Sequence, residues 1–79
     1  MSKPGMTMGP GSIRIADDFQ QRIVNVKCDT GEDLPDETAR YFADEYLKRK
    51  NKLDGFGGKW CFWGTERINY DEVKVIYCE

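Results

Sequence analysis

Apolar residues recur at every second position in several short stretches of the chain, and at every third or fourth position in one longer stretch. That longer stretch is residues 34–55, where the spacing places the apolar side chains on one stripe of a helix with 3.6 residues per turn. The stripe consists of Ala39, Phe42, Ala43, Tyr46 and Leu47. The pattern predicts one amphipathic helix whose apolar stripe faces the core.

Both ends of this segment carry helix-boundary signals. Pro35 suits the first helical position, where its missing N–H would have no partner, and Gly55 can take the left-handed conformation that ends a helix. Acidic residues gather at the start and basic residues at the end, which opposes the helix dipole. Asp33 and Asp36 are both candidates to cap the first turn, and the sequence does not decide between them.

Before the helix, residues 12–16 and 21–28 alternate in the manner of strands. The polar residues 17–20 between them predict a hairpin closed by a four-residue loop. In this hairpin Ile13, Ile15, Val24 and Val26 are expected to face the helix. Ile23 falls on the opposite side, which suggests a second, partly covered face or a bulge.

After the helix, residues 59–63 predict a strand with apolar side chains on both faces. Trp60 and Phe62 lie on one face, and Cys61 and Trp63 on the other. Such a strand is typically central in its sheet or covered on both sides. The final residues, 73–78, alternate again and predict a closing strand antiparallel to the aromatic one.

These elements predict a small α+β domain over residues 13–79. Its order is β-β-α-β-β, with a mainly antiparallel four-stranded sheet and one amphipathic helix packed on one face. Residues 1–12, rich in Gly, Pro and Met, are predicted to be a disordered tail, and residues 9–12 are typical of a cloning remnant. The chain of 79 residues allows one domain.

The sheet face opposite the helix has no second helix to cover it. Trp63, Tyr70 and Ile76, with Ile23 as a further candidate, are predicted to lie there exposed. An uncovered sheet face with aromatic side chains is typical of a protein-binding surface. These residues are therefore the predicted binding site.

Composition narrows the chemistry that the chain can perform. It contains no histidine, which excludes Ser-His-Asp and Cys-His catalytic arrangements, histidine metal ligands and imidazole acid–base chemistry. We therefore predict no enzyme activity, no cofactor and no metal site. No apolar run of about 18 residues and no secretion signal occurs, so the predicted location is cytoplasmic and no membrane partner is expected.

Three cysteines, Cys28, Cys61 and Cys78, form no metal-binding spacing. They are expected to be reduced and mostly buried, because a free cysteine behaves as a small hydrophobic residue. A disulfide between Cys28 and Cys78 is the alternative in an oxidising compartment.

A basic run at the end of the helix supports an alternative function. Nucleic acid could contact these side chains through its phosphates and stack its bases on the aromatic strand. The simpler interpretation is that they neutralise the helix dipole, and the net charge of −2 agrees with it. The run consists of Lys48, Arg49, Lys50 and Lys52.

The leading hypothesis is a non-enzymatic module that regulates or inhibits a larger protein through its uncovered sheet face or an edge strand. The same surface could instead form a homodimer. No family motif is matched. By analogy of fold alone, the build resembles that of small inhibitors encoded by phages and mobile elements.

Overall fold

The computed structural model of the chain describes residues 13–79. Four strands and one helix follow one another as β1 (Ile13–Asp18), β2 (Ile23–Cys28), α1 (Asp36–Arg49), β3 (Cys61–Asn69) and β4 (Glu72–Cys78). The strands form one sheet in the order β1-β2-β4-β3, and every neighbouring pair is antiparallel. The predicted α+β class and the β-β-α-β-β order are confirmed. The tail prediction for residues 1–12 lies outside the described residues.

The core lies between α1 and one face of the sheet. Alternate residues of β2 and β4 point into it, because successive side chains of a strand point to opposite faces. The fully buried residues include Val24, Val26, Cys28, Leu34, Ala39, Ala43, Leu47, Val73 and Val75. Ile13, Ile15, Phe42 and Tyr46 pack against this cluster, so the predicted helix stripe and the predicted inward face of the first hairpin are confirmed.

The helix is shorter than its sequence pattern predicted. It begins at Asp36 and ends at Arg49, with Pro35 in extended conformation as the N-cap residue and no side-chain cap. Asn51, at φ 59°, takes the left-handed position after the helix, a conformation that asparagine tolerates. The prediction that Gly55 ends the helix is therefore wrong. The predicted charge distribution is present, with acidic residues in the first turn and basic residues in the last.

Between α1 and β3 the chain folds back on itself in a compact loop. Leu53 bridges to Trp60 and Asp54 to Gly58, and the Trp60 N–H donates to the Lys52 carbonyl at 2.9 Å. Gly58 is required here because a Cβ atom at this position would lie 2.0 Å from the Lys52 carbonyl carbon. These loop contacts position the Trp60 side chain in the core.

Two predictions about the strands are wrong. The aromatic strand β3 lies at the edge of the sheet, and β4 occupies the centre between β2 and β3. The first hairpin closes over residues 19–22 instead of 17–20. Phe19 occupies this loop because its ring packs edge-on against Trp60, with 5.4 Å between ring centroids. The edge position of β3 follows from the pairing of β4 with β2, and the later hairpin turn from the contact of Phe19 with Trp60. Local alternation of apolar and polar residues encodes neither contact.

Within residues 13–79, the structure contains no helix with the length and apolar character needed to cross a membrane.

Candidate protein-binding surface

The sheet face opposite α1 is uncovered by any other part of residues 13–79, and its middle is polar. Asn25, Lys74 and Glu66 face one another across three strands. The Lys74 ammonium lies 3.8 Å from the Glu66 carboxylate, and the Asn25 amide donates to Glu72 at 3.3 Å. These polar groups pair with one another, and their side chains cover the middle of the face. The middle therefore offers little apolar surface to a partner.

One end of the same face is apolar. Ile23 pairs with Ile76, which pairs with Gly64 on β3. Both isoleucines are half-buried. Beyond this row, Arg22 and Glu79 form an ion pair with 3.1 Å between nitrogen and oxygen. An apolar centre with a charged rim is the usual composition of a protein interface.

Trp63 adjoins this row and is the most exposed of the large apolar residues within residues 13–79, with 68% of its surface accessible. It is the extra residue at a register shift between Phe62 and Gly64, where β3 has one more residue than β4. A bulge of this kind redirects side chains and often occurs at sheet edges and binding sites. We call this patch the Trp63 surface; it consists of Trp63, Ile76, Ile23 and Gly64.

Tyr70 was predicted to share this surface, but the structure places it at the tip of the β3–β4 hairpin. There the Leu34 N–H donates to the Tyr70 carbonyl at 2.9 Å. Its side chain, 53% exposed, lines a shallow depression with Pro35 and Arg67. The structure thus brings together Trp63 and Ile76 but not Tyr70.

Arg67 explains why the hairpin tip is held against the start of the helix. Its guanidinium donates to the Leu34 carbonyl at 2.7 Å and to Asp36 at 2.6 Å. It also donates to the carbonyls of Asn69 and Tyr70. This side chain therefore stabilises the fold, and the tip around Tyr70 is occupied by internal contacts.

The cysteines divide into one buried residue and two exposed ones. Cys28 lies in the core, and its thiol is 3.2 Å from the Thr30 hydroxyl. That hydrogen bond lowers the pKa of the Cys28 thiol. Cys61 and Cys78 are exposed and pair directly across β3 and β4. All three are free, so the alternative disulfide between Cys28 and Cys78 is absent, and the expectation of mostly buried thiols is wrong.

The basic end of the helix packs on aromatic rings of its own domain. The ammonium groups of Lys48, Lys50 and Lys52 lie 4.7, 5.5 and 5.0 Å from the ring centroids of Phe56, Tyr46 and Phe19. Such cation–π contacts stabilise the loop that follows the helix.

The aromatic strand offers one exposed ring for stacking on a base. Trp60 is buried, and the Arg40 guanidinium lies over the Phe62 ring at 3.9 Å. Trp63 remains as the exposed ring. The nucleic-acid alternative, with Arg49 among its contacts, stays a prediction that these positions do not favour.

A second apolar surface was missed by sequence reasoning. It is a groove of about 330 Å³ between the edge strand β1 and the helix. Ile13 and Ile15 line one wall, and Tyr41, Glu45 and Arg49, spaced four residues apart, line the other. The sequence feature that could have indicated this groove is Tyr41, an aromatic residue next to the apolar stripe of the helix. In the structure Tyr41 is 61% exposed.

Two tyrosines join the helix to the sheet through carboxylates. The Tyr77 hydroxyl donates to Asp44 at 2.5 Å, and burial, followed by this hydrogen bond, raises the pKa of Tyr77 well above its usual range. The Tyr46 hydroxyl donates to Asp17, which raises the pKa of Tyr46. Both phenols are neutral at physiological pH, and their hydrogen bonds connect α1 to β4 and to β1.

Residues 13–79 contain no cluster of three or more cysteine and carboxylate side chains that could hold a metal ion. The chain matches no family model, and neither the curated proteins nor the solved structures searched include a match to it.

Proposed function

We propose that the protein is a non-enzymatic, cytoplasmic binding module that regulates or inhibits a larger protein through the Trp63 surface. The observation that carries the proposal is the exposure of Trp63 at a bulge in an edge strand, beside the half-buried Ile76. Leaving a tryptophan in water forgoes the burial of a large apolar side chain, and tryptophan is among the residues most often found at binding hot spots.

The surroundings of Trp63 suit a partner that adds to the edge of the sheet. Within residues 13–79 the β3 strand pairs only with β4, so among the described residues nothing pairs with its outer side, where a strand of another protein could add to the sheet. A docked strand would cover the Trp63 ring and bury apolar area next to it. The polar middle of the face would form the rim of such an interface.

The experiment compares three forms of the protein as baits in a lysate of the cells that express it: the wild type, Trp63→Ala and a control variant. Wild-type protein is expected to retain a partner that Trp63→Ala does not, and the purified partner is expected to bind the wild type at least tenfold more tightly in calorimetry. Tyr41→Ala, which changes the groove beside β1, is the matched control. It also removes an exposed aromatic residue from this domain.

The outcomes separate the competing surfaces and functions. Retention by Trp63→Ala together with loss by Tyr41→Ala would assign binding to the β1 groove and refute the Trp63 surface. A concentration-dependent dimer in light scattering, abolished by Trp63→Ala, would make the partner a second copy of the chain. Co-elution with an oligonucleotide at low salt and release at high salt would instead support the nucleic-acid alternative.

A further inference from the structure

We propose that Cys61 and Cys78 form a dithiol modification site that a small-molecule disulfide, such as glutathione disulfide, converts into an intramolecular disulfide. The juxtaposition of these two cysteines carries the proposal. They are direct partners in the β3–β4 ladder, and both are exposed. The third cysteine, Cys28, is completely buried in the core.

The ladder geometry places the backbones of the two cysteines at a separation that a disulfide can span. The Tyr77 N–H donates to the Arg22 carbonyl at 2.9 Å, so the backbone of Tyr77 faces the β2 side and that of the next residue, Cys78, faces β3. Cys61 and Cys78 are therefore a hydrogen-bonded pair, and in such pairs the Cα atoms typically lie about 5.5 Å apart. Disulfides span Cα distances of about 4.4–6.8 Å, most often near 5.5–6 Å.

Closing the bond requires a small local movement. Cβ atoms of directly opposite residues lie about 4.5–5.5 Å apart, whereas a disulfide brings them to about 3.5–4.5 Å. In the reduced form the Cys61 thiol lies 3.9 Å from the Lys59 carbonyl, so its side chain must also rotate. Cys61 is the first residue of an edge strand, a place where such a shift disturbs few neighbours.

The chemistry proceeds by two thiol–disulfide exchanges. The thiolate of one cysteine attacks a sulfur of glutathione disulfide, forming a mixed disulfide and expelling one glutathione thiolate. The thiolate of the second cysteine then attacks the protein sulfur of the mixed disulfide and expels the second glutathione thiolate. The two cysteines are oxidised to one disulfide, glutathione disulfide is reduced to two glutathiones, and the cysteine protons end on the two released thiolates.

The product would lie beside the Trp63 surface, since Cys61 is two residues from Trp63. A disulfide at this point ties the start of β3, and with it the Trp63 bulge, to the central strand β4. The expectation that oxidation changes partner affinity rests on the proposed function. The modification itself does not, and it can be measured without a partner.

The test is intact-mass analysis of the folded protein after incubation with a mixture of glutathione and glutathione disulfide. Wild type and Cys28→Ser are expected to lose two hydrogens and to retain no glutathione. Cys61→Ser and Cys78→Ser are each expected to retain one glutathione, because the resolving thiol is missing. Phenylarsine oxide, a probe that requires two adjacent thiols, is expected to bind the wild type and neither of these two variants.

A second readout is the midpoint of thermal unfolding of the wild type. Oxidation is expected to raise it by on the order of 10 °C, because the bond closes a loop in the unfolded chain. Addition of two glutathiones to the wild type, a disulfide-linked dimer, or loss of the internal disulfide in Cys28→Ser would each overturn the proposal.

Discussion

Trp60 and Trp63 lie three residues apart, and replacing each with alanine should have very different effects on stability. Trp60 is 6% exposed, and its ring contacts Phe19 and Tyr77 with centroid distances of 5.4 and 6.2 Å. Truncation of a buried tryptophan costs about 3–5 kcal/mol. A chain of 79 residues has a total stability of about 4–12 kcal/mol at 0.05–0.15 kcal/mol per residue. Trp60→Ala is therefore expected to lose much or all of its folded population.

The cost for Trp63 is smaller because 68% of it is already in contact with water. A fully buried tryptophan removes up to about 250 Å² from solvent, so the remaining third corresponds to about 80 Å². At about 25 cal/mol per Å² this is worth about 2 kcal/mol, of which the alanine side chain keeps a part. Trp63→Ala is expected to lower the free energy of unfolding by about 1 kcal/mol.

Urea denaturation followed by far-ultraviolet circular dichroism measures both values. The dependence of the free energy on urea should be the same for Trp63→Ala and the wild type, since the folded state is unchanged. In Trp63→Ala the remaining Trp60 serves as a fluorescent reporter of the core, and its emission is expected to move to longer wavelength only on unfolding. A loss above about 3 kcal/mol for Trp63→Ala, or below about 1 kcal/mol for Trp60→Ala, would refute the assignment of one tryptophan to the core and the other to the surface.

Three further predictions concern the fold that holds the Trp63 surface. Arg67→Met should cost about 2–3 kcal/mol in denaturant melts, because it removes the charged donor 2.7 Å from the Leu34 carbonyl; a loss under about 0.5 kcal/mol would contradict this role. Because the pKa of Tyr77 is raised in the folded state, stability should fall as pH rises above about 10, and Tyr77→Phe should reduce that loss. An unchanged alkaline midpoint in the variant would argue against the buried phenol. Gly58→Ala should lower the free energy of unfolding by about 1–3 kcal/mol or more, and the thermal midpoint with it, since the added Cβ overlaps the Lys52 backbone; a midpoint equal to that of the wild type would disprove the close approach.

The fold class could be predicted from the sequence because it depends on local periodicity. The helix stripe and the alternation of β2 and β4 correspond directly to buried faces. Element ends depend on tertiary contacts instead. Asn51 ends the helix region while Gly55 does not, because the loop must turn early enough for Leu53 to bridge to Trp60. No local propensity encodes that bridge.

The candidate site was predictable only in part, for a related reason. Exposure of Trp63 could not be separated from burial of Trp60, because both lie in one short aromatic stretch. Their difference follows from the position of β3 at the sheet edge and from its bulge. Tyr70 shares aromatic character with Trp63, but it lies in the turn where Arg67 and Leu34 engage the backbone. The exposure of each ring therefore depends on strand order and on turn contacts, and composition reveals neither.

The pairing of Cys61 with Cys78 depends on two irregularities in β3. Next to the hairpin turn, Asn69 pairs with Glu72. An unbroken ladder from that pair would place Trp63 opposite Cys78. Register shifts between Arg67 and Asn69 and between Phe62 and Gly64 each add one residue to β3, and together they bring Cys61 opposite Cys78 instead. The same bulge that leaves Trp63 without a direct partner therefore aligns the two thiols. Deleting Trp63 should remove the shift together with its extra residue, which leaves Phe62 opposite Tyr77 and Cys61 opposite Cys78. Both the deletion variant and Trp63→Ala should therefore still form the internal disulfide, and a glutathione retained by either variant in intact-mass analysis would contradict this register.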